Sequence, residues 1–202
     1  MSTAERAPLG TDGARQRPPF AGMLACALAL LLSSLGGAGC TPTAGEAALT
    51  PRGIGPMQLG VPLADAARDT QRFDPAAGQI GPGCDERDQI SVVLRAAGES
   101  LSVMAMAGTN AAIEEILAVP ADGAGAVTLV DAEACRAHGA AFAARLAPRL
   151  GEALAWSVRE RPVSLEFVFP FAGEVRVVSR WFAGGKSCDL LLQFGSKAGA
   201  EH

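Results

Sequence analysis

The stretch GEVRVVSRWFAGGKSCDLLLQF, residues 173–194, decides the fold. Two runs of alternating residues flank a Gly-Gly pair. In the first, Val175, Val177 and Trp181 fall on one side, with Glu174, Arg176 and Arg180 facing water. In the second, Cys188, Leu190, Leu192 and Phe194 share a side, and Ser187, Asp189 and Gln193 lie opposite. A period of two marks a strand with one buried and one wet face. Two such runs joined by a short Gly-containing link predict an antiparallel hairpin. The link itself, "GGKS" at Gly184–Ser187, mimics the end of a phosphate-binding loop. The first glycine of such a loop would fall at Arg180, and the stretch joins strand to strand where the loop needs strand to helix. It reads as a hairpin turn.

Upstream the same alternation continues. "VSLEFVF" points Val163, Leu165, Phe167 and Phe169 inward, and "LAWSVRE" adds an edge strand. Before these, "DAEACRAHGAAFAARLAPRLG" spaces Cys135, Phe142, Leu146 and Leu150 helically. Asp131 or Thr128 would cap this helix, and Pro148 must bend or end it. "VTLV" precedes it, and "PADGAGA" is a loop that divides two halves. In the first half, "ISVVLR" places Ile90, Val92 and Leu94 on one face and pairs with "LSVMAM" across the turn "AAGES". "AAIEEILAV" is expected as a third strand, although Ile113, Ile116 and Leu117 also suit a helical turn. Residues 74–89 read as loop. "VPLADAARDT" is a helix, with Pro62 near its first turn and Asp65 favourable to the N-terminal dipole. "GIGP" is a turn, and "MQL" a short extended piece.

These elements predict an α+β protein, its antiparallel sheet packed on helices in two layers. Helix followed by meander occurs twice, over residues 52–120 and 127–195, as in a diverged tandem repeat. The residues of the halves do not align, so the likeness is one of topology. "GIGPMQLGVPLADA" opening a helix–hairpin unit resembles the BamE outer-membrane assembly lipoproteins and the β-lactamase inhibitor protein, which share such two-layer units. Val61-Pro62 departs from the Thr that often caps the helix there, and no binding residue carries over.

The N-terminal region has a different character. Its first 19 residues carry Arg6, Arg15 and Arg17 against Glu5 and Asp12; then Phe20–Leu35 is uncharged and apolar, followed by "GGAG". That is the layout of a secretory signal peptide, expected over residues 1–39. The apolar run of 16 residues is short of the about 20 that a spanning helix needs. The segment ending "GGAGC" resembles bacterial lipoprotein precursors, with Ala38 and Gly39 at the small positions and Cys40 at the acylated cysteine. Gly37 stands where Leu is usual. The resemblance implies lipidation of Cys40 and attachment to a membrane. Thr41, not Asp, gives no signal for inner-membrane retention, so the expected location is the outer membrane, facing the periplasm. The alternative is ordinary cleavage that leaves Cys40 a spare thiol. Residues 40–51 read as a flexible tether and 196–202 as a disordered tail.

Cleavage before Cys40 would leave 163 residues, with 14 basic and 19 acidic side chains and a net charge of −5. That balance gives no basic footprint for nucleic acid. Three cysteines remain besides Cys40. Cys135, on the apolar face of a helix, and Cys188, on the buried face of a strand, are placed to meet as a disulfide, which an exported protein permits. Two separate buried thiols are the alternative. Closing a loop of about 50 residues would contribute about 4 kcal/mol. Cys84, in "GPGCDERD", reads as an odd loop thiol whose acidic neighbours lower its reactivity.

The inventory for catalysis is thin. There are two histidines, His138 beside the apolar stripe of the long helix and His202 at the end. H-E-x-x-H, C-x-x-C and G-x-S-x-G spacings do not occur. Adjacent Glu114 and Glu115 would face opposite sides of a strand. No catalytic residue, cofactor or metal ligand is assigned. What remains for recognition is the wet face of the sheet with Glu166, Glu174, Arg176 and Arg180, and the turn carrying Lys186. The expectation is a non-catalytic, lipid-anchored envelope protein that binds a protein or supports the envelope. A secreted inhibitor or small-ligand binder is the alternative, and a hydrolase with an unusual site stands behind both.

Overall fold

The structure, a computed structural model, describes residues 45–123 and 125–195. The leader with Cys26, the proposed anchor Cys40 and the tail at 196–202 lie outside the described residues.

Three short strands, β1 (Leu49–Thr50), β2 (Gly53–Ile54) and β3 (Met57–Gln58), form a small antiparallel sheet. Helix α1 (Leu63–Thr70) follows, then β4 (Gly81–Pro82), β5 (Asp88–Ala96), β6 (Glu99–Ala107), β7 (Ile113–Pro120) and β8 (Ala126–Thr128). Helix α2 (Ala132–Leu150) precedes β9 (Ser157–Arg161), β10 (Ser164–Pro170), β11 (Val175–Phe182) and β12 (Ser187–Gly195). The last nine strands form one sheet in the order β4-β5-β6-β7-β12-β11-β10-β9, with β8 also beside β12. Every pairing is antiparallel. The α+β class is as expected.

Helix then meander does occur twice, as α1 followed by β5–β7 and α2 followed by β9–β12. The division at "PADGAGA" is not a break in the sheet, however. The last strand of one half pairs with the last strand of the other, Ala118 opposite Leu192 and Ile116 opposite Phe194.

Sequence chemistry accounts for the elements. The β5–β6 hairpin turns on Ala97 and Gly98, at φ 53° and 78°. Positive φ at both central residues gives the twist that suits a two-residue hairpin, and glycine takes the second place without strain. Asp131 caps α2 by accepting a 2.8 Å hydrogen bond from the Ala134 N–H. The helix runs two residues past Pro148 and ends at Gly151, φ 87°. Proline costs most in a helix interior; here it sits in the final turn, with buried Leu146 and Leu150 on either side.

One face of the large sheet, the inner face, carries the core. From β5 to β10 its buried row runs through Val92, Val103, Ala118, Leu192, Val177 and Phe169 in direct register. Helix α1 packs on β5 and β6, β3 on β7, and α2 on β10, β11 and β1. Ile54, Met57, Phe142, Leu146 and Phe194 are fully enclosed, each contributing about 1.5–3 kcal/mol by burial. At Gly139 the helix comes nearest to β11. A side chain there would collide with Ser179 Oγ and bring Cβ within 2.7 Å of Phe169.

Several expectations change. Residues 45–51 are not tether: Ala47 and Leu49 are buried, and the Ala47 N–H donates to the Arg95 carbonyl at 2.6 Å. Val163 is 75% exposed, because the β9–β10 turn takes it out of the alternation that holds for Leu165, Phe167 and Phe169. The loop at 74–89 includes β4 and the start of β5. "AAIEEILAV" is a strand, and a bulge where Met106 faces Glu115 but Ala107 faces Ile113 turns both Ile113 and Ile116 inward.

A candidate binding face

The face of the large sheet opposite the buried row, the outer face, carries Glu166, Arg176 and Arg180 of the polar residues singled out in the sequence. The buried row lies on the inner face, so the alternation of β7, β11 and β12 delivers Glu115, Arg176, Arg180, Asp189 and Gln193 to the other.

These residues form two groups at opposite ends of the strands. In the first, Arg87 donates to Asp85 at 2.5 Å and to Glu115 at 3.0 Å. The other oxygen of Glu115 accepts from Gln193 at 2.7 Å, and the Gln193 carbonyl oxygen accepts from Arg176 at 3.0 Å. The chain of bonds thus crosses β7, β12 and β11. Asp85, then Glu115, raise the pKa of Arg87, and the Arg87 hydrogen bond lowers that of Asp85. Burial first, then the charge of Arg159, pull Arg176 below the usual guanidinium value. In the second group, Arg161 donates to Glu166 at 3.1 Å, and Arg180 stands 3.7 Å from Asp189. Surface pairs of this kind contribute about 0–1 kcal/mol each.

Between the two groups lies an apolar band. Val93 is 57% and Val119 38% exposed, with Met104, Leu117 and Leu191 half-buried beside them. Val168 and Val178, opposite one another in register, are buried although they stand outside the core cluster. A cavity of about 580 Å³ opens at one end of the band, lined by Val119, Pro120, Ala126, Arg180, Asp189 and Leu190.

Cys135 and Cys188 are bridged, with Cα atoms 5.5 Å apart. The bond ties α2 to β12 in the fully buried interior, so it supports the sheet and is not itself a reactive site. Cys84 is a free, exposed thiol. His138 is half-buried; its Nε2 is enclosed without a hydrogen-bond partner among the described residues. Among the described residues, no cluster of three His, Cys, Asp or Glu side chains is placed to hold a metal. Glu174 and Lys186 lie in exposed turns.

Sequence reasoning passed over Arg87, which lies in an aperiodic loop, and Trp156, which precedes β9. Trp156 is 48% exposed, meets Phe167 edge-on at 6.3 Å and lies under the Arg136 guanidinium at 5.1 Å. An aromatic just before an edge strand was the available signal.

No family model, no curated protein and no solved structure matches this chain. The functional reading therefore stands on the residues and their arrangement.

Proposed function

We infer that this chain is a lipid-anchored bacterial envelope protein without catalytic activity, a two-layer α+β unit that binds another protein through the outer face of its sheet. The observation that carries the binding half is the apolar band of Val93, Leu117 and Val119 between two ion-paired groups. An apolar centre within a polar rim is the anatomy of a protein interface. The anchoring half rests on the apolar run at Phe20–Leu35 and on "GGAGC" before the folded residues. Two acyl chains or more would hold such a protein firmly, where one alone would hold it marginally.

The test is site-specific photo-crosslinking in the native host. Crosslinkers at Val93 and Val119 should capture one partner of the same mass, while one at Arg68 on α1 should not. Equal capture from all three positions, or from none, contradicts the reading.

The cavity beside Arg180 favours a second reading, a small-ligand binder, since its volume lies within the about 300–1,000 Å³ of ligand pockets. Saturable ligand binding abolished by Val119→Trp, with no protein captured at Val93, would decide for it.

A further inference from the structure

Strand β9 is the last strand of the sheet. One of its edges pairs with β10, and the other has no strand beside it among the described residues. A free edge presents a row of backbone N–H and C=O groups that another extended chain can pair with.

The two sides of this edge differ in chemistry. On the inner side, Trp156 and Val158 stand two positions apart and are 48% and 52% exposed, with the exposed Glu160 following them; Leu154, 58% exposed, lies just before. The Leu154 N–H donates to the Pro170 carbonyl at 2.7 Å, which holds the lead-in segment against β10. Trp156 is propped between Arg136 and the edge of Phe167, so its ring is pre-positioned while half of it remains open. An aromatic held in this way offers contact area at little ordering cost. On the outer side stand Arg159 and Arg161. Arg161 is engaged by Glu166, whereas Arg159 makes no hydrogen bond or ion pair among the described residues. It adds its positive charge next to Arg176. The outer side at this edge therefore sets Arg159, Arg161 and Arg176 around the single Glu166, which stands opposite Arg159 in register, and is cationic on balance on a chain whose net charge is −4.

A second copy centred on Arg159 is disfavoured. Antiparallel pairing of β9 with itself, helices kept on one side, sets Arg159 opposite Arg159 when centred there, and like charges directly opposite destabilise a sheet. The complement is a strand that is apolar on one side and acidic on the other.

We propose that the free edge of β9 is a strand-addition site for an extended segment of another protein in which apolar residues alternate with Asp or Glu. Apolar side chains of that segment meet Trp156 and Val158, and its carboxylates meet Arg159. The proposal goes beyond the reading above and depends neither on the apolar band nor on the lipid. It places the partner's strand on the edge instead of on the apolar band.

The probe is an eight-residue peptide alternating Val and Glu, set against the same peptide with Lys for Glu. Both are titrated into the full chain in detergent, with hydrogen exchange followed at β9. The Glu peptide is expected to bind saturably and to slow exchange at Ser157–Arg161. Arg159→Glu should weaken it at least tenfold and should confer binding of the Lys peptide. Trp156→Ser should weaken both pairings alike, while Val119→Glu should leave them unchanged. Equal binding of the two peptides, indifference to Arg159→Glu, or protection confined to β5 and β7 would each overturn the proposal. The last of these would leave the outer-face reading standing; loss of partner capture at Val93 and Val119 with intact peptide binding would do the reverse.

Discussion

Cys135, at the start of α2, is joined to Cys188, at the start of β12, across 53 residues of chain. Both side chains are fully buried. The bond fastens the long helix to the strand that also joins the two halves of the sheet. The chain-entropy model assigns such a loop about 4 kcal/mol. Cys135→Ala with Cys188→Ala is expected to lower unfolding free energy by about 2–5 kcal/mol. Urea denaturation measures it, and an unchanged midpoint would contradict it.

Gly139 lies where α2 approaches β11 most closely, facing Ser179 and Phe169. Gly139→Ala raises helix propensity by about 1 kcal/mol, but overpacking costs about 1–3 kcal/mol. The collision wins: the variant should have a lower thermal midpoint. A rise in midpoint would show that the helix can move outward freely.

The cap on α2 is a single side chain. Asp131→Ala removes the acceptor for the Ala134 N–H and should cost about 1 kcal/mol. Asp131→Asn, which keeps an acceptor, should recover most of it. Chemical denaturation of the two variants side by side is the check.

The acid limb of the stability profile should carry the mark of Asp85. Its pKa is lowered by the Arg87 hydrogen bond, so its contribution is present above the ordinary carboxylate value of about 4. That contribution is lost as pH falls through the lowered native value. Asp85→Asn should flatten this part of the profile slightly, and the difference should shrink in high salt, since the group is exposed. A difference that grows above pH 7 would contradict this assignment.

Much of the fold was legible because one face of the sheet is buried and the other wet. Cys188, Leu190, Leu192 and Phe194 announced their side by alternation alone, and the helical spacing of Cys135 and Phe142 placed the partner sulfur. Where legibility failed, a local event broke the period. The bulge between Met106 and Ala107 makes Ile113 and Ile116 recur three apart, a spacing that also suits a helix. Val163 sits in a turn, where alternation carries no meaning. Ala47 and Leu49 looked like tether because strands of two residues leave no period to read. The polar residues of the outer face could be read from their register. Arg87 could not, since only the tertiary fold brings its loop to Glu115.

The most direct measurement of the central claim is the intact mass of the protein purified from its native host. The account predicts a chain that begins at Cys40, carries the added mass of acyl groups, and is two hydrogens lighter through the Cys135–Cys188 bond. A full-length, unacylated polypeptide with every thiol reduced would contradict it.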